Sequence, residues 1–306
     1  MESSRSYSKM NEPLYEANGA ILRKIDFQKS LKKAGIEKGD IIFVHSDIGS
    51  FGKLLASGRE LLLGSLIESL KESVGKSGTI ILPTFSYSIE KKEVFDPDST
   101  KSSVGTLTEF FRKQKGVKRT LHPTHSVAVW GNLKDYFSEK GEDTFGPDSV
   151  FAKLHMSNGK VVFLGAPFQS LTFAHYIEQM HGVPYRNIVK IKGKMIENKK
   201  PKDCSIKYYE KYSYFFTSLA KFENCLIKNK TMKEVQLGNG KIIAVESSKL
   251  FEEGTNLLGK DPYFFLRNDG AFKIFNIAIY PFIKYFKPFA KIMDKIFSRI
   301  VLNRQL

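Results

Sequence analysis

The sequence lacks most of the features that mark secreted, disulfide-bonded or membrane-spanning proteins. Its 306 residues include only two cysteines, Cys204 and Cys225, without CxxC spacing, which predicts a reducing compartment and no disulfide framework. Residues 1–17 contain no apolar core of the signal-peptide type. No run of about 18 apolar residues predicts a helix that spans a bilayer, so we expect a cytoplasmic protein.

Acidic residues are also too few to balance the basic ones. The chain has 48 Lys and Arg against 32 Asp and Glu, a formal net charge of +16. This excess favours a partner with negative charge, such as nucleic acid, an anionic membrane or a phosphate-bearing ligand. The alternative is that surplus lysines only keep an ordinary enzyme soluble. No RNP, helix-turn-helix or zinc-finger pattern accompanies the charge, so we expect no nucleic-acid partner.

Histidine is rare but concentrated in two short segments. Four of the 6 histidines lie in RTLHPTHSVAVWG (119–131) and LTFAHYIEQMHGVPYR (171–186). Each segment adjoins an apolar run, Val127–Trp130 or Val161–Gly165, that is typical of a buried strand. Open α/β folds build their sites at strand ends, so we expect the functional site in these two segments.

Short apolar runs alternate with amphipathic segments along the first part of the chain. Besides the two runs above, strands are predicted at 41–45 and 78–86, and helices at 26–35, 59–74 and 104–114. This alternation predicts an α/β fold with a largely parallel sheet.

The character of the sequence changes from about residue 187. IVKIKGKMI and KIIAVE are typical of hairpin strands, with a Tyr/Phe-rich helix predicted between them at 207–221. We interpret this part as a smaller α+β portion of the same domain. The predicted organisation is a flexible N-terminus at 1–20, one domain at 21–270 and a C-terminal tail at 271–306.

The tail predicts a basic amphipathic helix. Its apolar residues recur at steps of three and four, and its basic residues recur at the same steps on the opposite face: Lys284, Lys287, Lys291, Lys295 and Arg299. This pattern is typical of a helix lying in a membrane interface, where each basic residue adds roughly 1 kcal/mol near an anionic surface. The alternative is a terminal helix docked on the core with solvated lysines.

His175 and Glu178 form the best candidate for acid–base chemistry. Ser170 or Thr172 can cap a helix that follows the strand VVFLG, and the two residues then lie at i and i+3 on one face. A carboxylate beside a histidine orients the ring and raises its basicity, which is what a general base requires. The alternative is an incidental polar pair on a helix.

Two weaker signals lie elsewhere. HPTHS, with His122 and His125, could combine with the HxxE pair as zinc ligands, although the helical HExxH motif is absent. The turn HSDIGSFG (45–52) follows a buried strand, and its small residues would let backbone N–H groups approach an anion or a thioester carbonyl. It matches neither a P-loop nor GxGxxG.

Seven stretches in collinear order resemble the aminoglycoside 3-N-acetyltransferase family. They span roughly residues 26–186 and are LKKAGIEKGDIIFVHSDIGSFG, GTIILPTFSYS, FDPDSTKSSVGTLTEFFRK, VKRTLHPTHSVAVWG, FGPDSVFAKL, GKVVFLGAPF and LTFAHYIEQMHGVPYR. The resemblance implies a three-layer α/β/α core and direct transfer of an acyl group from CoA to an amine on a sugar.

The resemblance also implies roles for individual residues. His175 would be the base and Glu178 its partner. Six residues would contact the CoA arm and thioester: His45, Ser46, Phe51, Arg119, His122 and Ser126. Arg119 would pair with a CoA phosphate, and Asp96 in FDPDST would help to recognise a cationic acceptor.

The acceptor is the open question. Aminoglycosides are polycations, whereas this chain carries +16 and a basic tail. We therefore expect an anionic amino sugar, nucleotide- or lipid-linked, in surface glycan biosynthesis, with an acyl group that need not be acetyl. The alternatives are an aminoglycoside 3-N-acetyltransferase that confers antibiotic resistance and, from another class, a zinc-dependent hydrolase. A homodimer and peripheral attachment at the inner membrane face are further expectations.

Overall fold

The structure, a computed structural model, describes residues 12–139, 141–212 and 215–267. Its strands, numbered along the chain, are β1 (Pro13–Ala17), β2 (Ala20–Arg23), β3 (Ile41–Ser46), β4 (Lys53–Leu54), β5 (Thr79–Pro83), β6 (Lys118–Arg119), β7 (Val127–Gly131), β8 (Lys160–Leu164), β9 (Arg186–Glu197), β10 (Lys200–Lys211), β11 (Lys233–Leu237) and β12 (Gly240–Glu246). Its helices are α1 (Lys24–Lys33), α2 (Arg59–Val74), α3 (Thr106–Phe111), α4 (Lys134–Ser138), α5 (Val150–Met156), α6 (Phe173–His181), α7 (Ala220–Lys228) and α8 (Ser247–Lys260), with a 3₁₀ turn at Phe168–Ser170.

A seven-stranded sheet with the order β11-β12-β8-β3-β5-β7-β6 forms the centre of the molecule. Strands β8, β3 and β5 pair in parallel, while β12 and β7 run the opposite way and pair antiparallel with both of their neighbours. Five of the seven strands therefore share one direction, which confirms the predicted largely parallel sheet. The outer pairs are antiparallel because short connections, such as the turn between β11 and β12, can join only antiparallel neighbours.

The sheet is covered on both faces, as the predicted three-layer arrangement requires. Successive residues of β3 face opposite ways, so Phe43 packs in one apolar cluster and Ile42 and Val44 in the other. The first cluster includes residues of α5, α6, α7 and α8, and the second includes residues of α1, α2 and α3. Strands buried on both faces explain the continuous apolar runs in the sequence.

The prediction of a flexible N-terminus at 1–20 is wrong for residues 13–20, which are ordered. Residues 13–23 form the hairpin β1–β2, and the Tyr15 ring is fully buried 5.9 Å from the Phe27 ring and 5.8 Å from the Phe51 ring. A pair of large apolar side chains, Leu14 and Tyr15, was enough to anchor this polar stretch to the core. Residues 1–11 lie outside the described ranges.

The helix predicted at 207–221 is also wrong. Residues up to Lys211 belong to β10, which pairs with β9 along its whole length, and α7 begins only at Ala220. The hairpin turns through Asn198 and Lys199, whose positive φ angles of 53° and 61° match the primed turns that suit a twisted hairpin. KIIAVE forms β12, which pairs with β8 within the main sheet rather than lying in a smaller α+β portion packed on that sheet.

The tail predicted to bind membranes, 271–301, falls outside the described residues. Across the part of the chain that the structure does describe, none of the helices has the length and apolar character needed to cross a membrane.

Candidate active site

Helix α6 carries the central residues of the site. The chain leaves the end of β8, passes through the 3₁₀ turn and enters α6 after Thr172, which takes the N-cap position without a side-chain capping bond. The helix ends at Gly182, whose φ of 77° gives the left-handed C-cap that glycine favours. The predicted helix and its start are therefore confirmed, and the turn at Gly182 brings the next residues back toward the helix.

The predicted pair of His175 and Glu178 is in direct contact. His175 Nδ1 lies 2.7 Å from Oε2 of Glu178, whose side chain is fully buried. The Tyr185 hydroxyl donates to Oε1 of the same carboxylate at 2.7 Å, and Nε of Arg186 lies 2.9 Å from Oε2. Burial alone would raise the pKa of Glu178, but Arg186, His175 and Tyr185 outweigh it and lower that pKa, so the carboxylate is ionised.

The contact with Glu178 selects one tautomer of His175. An unprotonated Nδ1 at 2.7 Å would set its lone pair against a buried carboxylate oxygen, so Nδ1 carries the proton and donates it. The lone pair is then on Nε2. Burial and the Arg186 charge lower the pKa of His175 against the opposing effect of Glu178. The ring is therefore neutral at pH 7 and able to accept a proton.

The His175 ring lines an open cavity of about 480 Å³. Its side chain is 28% exposed, in contrast to the buried Glu178 behind it. The other residues around the cavity come from the 3₁₀ turn, from the start of α6, from the hairpin strands and from the segment before α7: Gln169, Ser170, Leu171, Thr172, Arg186, Tyr208, Glu210, Lys211, Thr217 and Leu219. The cavity thus offers a base, hydroxyl groups and both signs of charge to a polar ligand.

The histidine segment at 119–131 does meet the α6 segment, as expected. The Phe145 ring lies between them, 5.1 Å from the His175 ring and 4.9 Å from the His125 ring. His122 lies beside His125, and its Nδ1 accepts the backbone N–H of His125 at 3.0 Å. Burial lowers the pKa of His122 to about 4, and burial also lowers the pKa of His125 well below its usual value, so both rings are neutral.

The possibility of a metal site can be tested on the same geometry. His122 uses Nδ1 for the backbone amide and has Nε2 3.3 Å from the Thr144 hydroxyl, so both ring nitrogens already have partners. No group of three or more His, Cys, Asp or Glu side chains that could hold a metal ion occurs within residues 12–139, 141–212 and 215–267. The zinc-hydrolase hypothesis therefore finds no geometric support there.

The model of one family, aminoglycoside 3-N-acetyltransferase, matches residues 43–259 of this chain. The chain belongs to that family. The match includes β3, both histidine segments and the hairpin that carries Arg186, so it covers all the elements that build the site. This confirms the family and the enzyme class, an N-acetyltransferase, that the sequence resemblance implied.

Individual relatives agree with this assignment. The chain is 28% identical to the prophage-derived aminoglycoside N(3')-acetyltransferase-like protein YokD of Bacillus subtilis, over 54% of this chain and 67% of that protein. It is 26% identical to aminoglycoside N(3)-acetyltransferase IV of Salmonella sp, over 80% and 90% of the two chains.

Solved structures show the same fold. The apoenzyme AAC(3)-IVa matches with a TM-score of 0.69 at 24% identity, covering 81% of this chain and 93% of that one. AAC-IIIb, solved as a binary complex with CoASH, matches with a TM-score of 0.68 at 23% identity, covering 78% and 96%.

Arg119 was expected to bind a CoA phosphate, but its guanidinium is committed within the protein. Nη2 donates to the Thr84 carbonyl at 2.7 Å, Nη1 donates to the carbonyls of Pro97 and Thr100, and Nε approaches the Ser126 hydroxyl at 3.1 Å. Ser126 is itself fully buried and donates to the Thr84 carbonyl at 2.7 Å. These contacts hold the 96–100 loop against the sheet, and the CoA contacts predicted for Arg119 and Ser126 stay predictions.

Replacing Arg119 by glutamine is therefore expected to reduce stability without weakening CoA binding. The change removes the charged donors to the carbonyls of Thr84, Pro97 and Thr100, and a hydrogen bond to a charged group contributes about 1.5–3 kcal/mol. Urea unfolding would measure the loss, calorimetry would measure the Kd for CoA, and Arg59→Gln, at an exposed arginine of α2, would serve as the control. An unchanged unfolding midpoint together with a weaker Kd would restore the phosphate-binding role.

The other residues expected at the CoA arm have different environments. The Phe51 side chain is fully buried, with its ring 4.9 Å from the Phe27 ring. The contact expected here involves the backbone up to Phe51 rather than this ring, and it stays a prediction. His45 is buried with its ring stacked on Phe163 at 5.4 Å, which lowers its pKa to about 3. His45 Nε2 has no hydrogen-bond partner in the described residues, and its contact with CoA, like that of the half-buried Ser46, stays a prediction.

Three backbone amides of the turn after β3 have hydrogen-bond acceptors within the protein. The Asp47 N–H donates to the Leu164 carbonyl at 3.0 Å, and the Asp47 carboxylate accepts the Gly49 N–H at 3.0 Å. The Ser50 N–H points to the Asp47 carbonyl at 3.4 Å. These three amides are consequently not free to stabilise an oxyanion, as the sequence pattern had suggested.

The Asp96 carboxylate forms hydrogen bonds within its own loop, 96–100. Its carboxylate accepts the Ser99 hydroxyl at 2.7 Å and the Asp98 N–H at 2.9 Å, and these hydrogen bonds lower the pKa of Asp96. It is not among the residues that line the His175 cavity, where Glu210 is the carboxylate in reach of a ligand. The acceptor-binding role predicted for Asp96 thus has no support in the geometry.

Proposed function

We propose that this protein transfers an acetyl group from acetyl-CoA to a primary amine of an aminoglycoside-type amino sugar. The observation that carries the proposal is the neutral His175 ring, held by a buried Glu178 with its free Nε2 lone pair at a cavity large enough for a sugar ring. Membership of the family supports the reaction. The relative from Salmonella sp is named for the same reaction on aminoglycosides, and the matching AAC-IIIb structure holds CoASH.

The chemistry follows from the tautomer. The amine nitrogen attacks the thioester carbonyl carbon, and His175 Nε2 removes a proton from that nitrogen. The carbon–sulfur bond then breaks, and the thiolate of CoA takes a proton from the imidazolium, which restores the neutral ring. Glu178 stabilises the transient imidazolium through Nδ1–H, and no covalent intermediate on the protein is required.

The cavity is lined by polar groups that can contact the acceptor. Glu210 supplies a carboxylate for a second ammonium group, and Ser170 and Thr172 supply hydroxyl groups for a sugar ring. Sisomicin, the ligand of the matching AAC-VIa structure, has the polyamine character that such a site would recognise. An aminoglycoside acceptor, which the sequence argument ranked second, is thereby the better-supported choice over a glycan precursor.

A lysine-rich face of the β9–β10 hairpin supports an anionic acceptor as the second candidate. The hairpin strands that line the cavity also present Lys190, Lys192 and Lys207 on one exposed face, and Lys190 lies directly opposite Lys207. Like charges at directly opposed positions destabilise a hairpin, so a bound anion would relieve them. A nucleotide-linked amino sugar would bring phosphates of the required sign.

The test is calorimetric titration with acetyl-CoA, followed by thiol release with two acceptors. Saturable binding and turnover with sisomicin, but not with a nucleotide-linked amino sugar, would support the aminoglycoside proposal. The reverse preference would favour the second candidate. Absence of acetyl-CoA binding by folded protein would contradict both.

Membrane attachment through residues 271–301 and a homodimer stay proposals that rest on the sequence alone. Co-sedimentation of the full chain with anionic vesicles tests the first, and the mass of the particle in solution tests the second.

A further inference from the structure

Arg186 occupies an unusual position against the catalytic pair. It is the first residue of β9, its side chain is only 5% exposed, and its guanidinium reaches both members of the pair. Nε lies 2.9 Å from Glu178 Oε2, and Nη2 lies 3.0 Å from His175 Nδ1. Nη1 donates to the Tyr209 carbonyl at 3.2 Å, which fixes the guanidinium in place.

A count of charges shows what this arrangement does. A buried carboxylate next to a histidine would hold an imidazolium, since the resulting ion pair is neutral as a whole. A protonated His175 cannot act as a base. With Arg186 present, Glu178 is already neutralised, and a proton on His175 would leave a net positive charge in a buried cluster.

The distance from Nη2 to Nδ1 adds to this effect. Because Nδ1 already carries a proton for Glu178, the guanidinium is not a hydrogen-bond donor to the ring but a positive charge at 3.0 Å from it. Like charges this close disfavour the charged form of the imidazole. Glu178 thus selects the tautomer, and Arg186 selects the charge.

We propose that Arg186 is a positioning residue that holds Glu178 against Nδ1 and keeps His175 neutral, so that the base works at neutral rather than only at alkaline pH. The inference rests on the proposed function of His175, but it concerns the protonation of the free protein. It assigns a role to the VPYR end of the histidine-rich segment, which sequence patterns left unexplained.

Other ionisable groups also face His175 and must be considered. Lys211 of β10 lines the same cavity and adds positive charge, and Glu210 beside it adds negative charge. His125 lies across the Phe145 ring and is neutral. Arg186 differs from Lys211 and Glu210 in its buried contact with both Glu178 and His175.

The experiment measures the protonation of His175 without substrate. Histidine-labelled protein would be titrated by NMR, with the His175 signal assigned from its loss in His175→Gln. In Arg186→Gln the midpoint is expected to rise by about 1–3 pH units, because removing a neighbouring like charge favours the protonated ring. In Arg186→Lys the midpoint should stay close to that of the native protein, while kcat falls because the planar fork is lost.

Controls separate this role from a structural one. Arg119→Gln removes a partly buried arginine that is not in contact with the pair, and it should leave the His175 midpoint unchanged. The acid limb of the pH profile of kcat/KM should move with the NMR midpoint. If Arg186→Gln does not fold, it is replaced by Arg186→Met, which fills the buried volume with an apolar side chain. Arg186→Lys must in either case show the native His175 midpoint with a reduced kcat.

An unchanged His175 midpoint in Arg186→Gln, or in Arg186→Met where that variant replaces it, would overturn the proposal. A midpoint raised as far in Arg186→Lys as in Arg186→Gln would overturn it too. Neither result would touch the acetyl-transfer proposal, which is tested separately by thiol release. Conversely, the His175 midpoint could rise as expected in Arg186→Gln while the native protein transfers no acetyl group. That outcome would support the role of Arg186 and contradict the acetyl-transfer proposal.

Discussion

Replacing His175 by alanine is expected to lower kcat by a factor of about 10²–10⁴, the usual loss when a general base is removed. The Kd for acetyl-CoA should change little, because the proposed role of the imidazole is to take a proton from the acceptor amine. Steady-state thiol release and calorimetry on the same preparations would measure the two quantities. His175 lines the cavity, and its Nδ1 lies 2.7 Å from Oε2 of Glu178.

His181→Ala is the matched control, because it removes a histidine from the last turn of the same helix. That variant is expected to keep native turnover. If His175→Ala also kept it, the base would have to lie elsewhere. His122 would be the next residue to test, although both of its ring nitrogens have partners and burial lowers its pKa to about 4.

Replacing Glu178 by glutamine should have the largest effect on stability. The change leaves the Arg186 guanidinium buried without its counter-charge, and breaking a buried pair in this way costs about 3–5 kcal/mol. Urea unfolding at pH 7 would measure the loss of free energy of unfolding. Glu37→Gln, at an exposed carboxylate, is the control and should lie close to the native protein.

The pH dependence of this loss has a definite sign. The pKa of Glu178 is lowered in the folded protein, so its stabilising effect is complete above the unfolded value of about 4.3 and disappears as pH falls through the folded pKa. The difference between native and Glu178→Gln protein should therefore shrink in acid. A Glu178→Gln variant no less stable than Glu37→Gln at pH 7 would show that the buried charge network does not stabilise the fold.

The periodic parts of the structure were the most predictable. Helix 59–74 has the predicted bounds, and the central strands coincide with their apolar runs to within a few residues, because burial on both faces of a sheet imposes such runs. The contact of His175 with Glu178 was equally accessible, since i and i+3 positions on a helix face each other.

The parts that could not be predicted depend on contacts between distant residues. Arg186 and Tyr185 reach Glu178 only because the chain reverses at Gly182 and places the start of β9 against α6. The internal hydrogen bonds of Arg119 are likewise hidden in the sequence, because its partners, such as the Thr84 carbonyl, lie 35 positions away. Residue type alone cannot distinguish a cation that binds a ligand from one that holds a loop.

The aromatic residues at 207–212 were misassigned for a related reason. Tyrosine is enriched in strands, and the pairing of β10 with β9 places Tyr208 and Tyr209 in one. In the strand, Tyr209 turns inward to the core, whereas Tyr208 borders the cavity. The hairpin thus contributes residues to the walls of the His175 cavity.

Thiol release with acetyl-CoA and sisomicin, comparing the native protein with His175→Ala, tests the central claim most directly. The account predicts saturable release of CoA thiol that depends on both substrates and falls about 10²–10⁴-fold in the variant. Folded native protein that binds acetyl-CoA but releases no thiol with sisomicin or a nucleotide-linked amino sugar would contradict it. Equal rates for the two proteins would likewise remove His175 from the reaction.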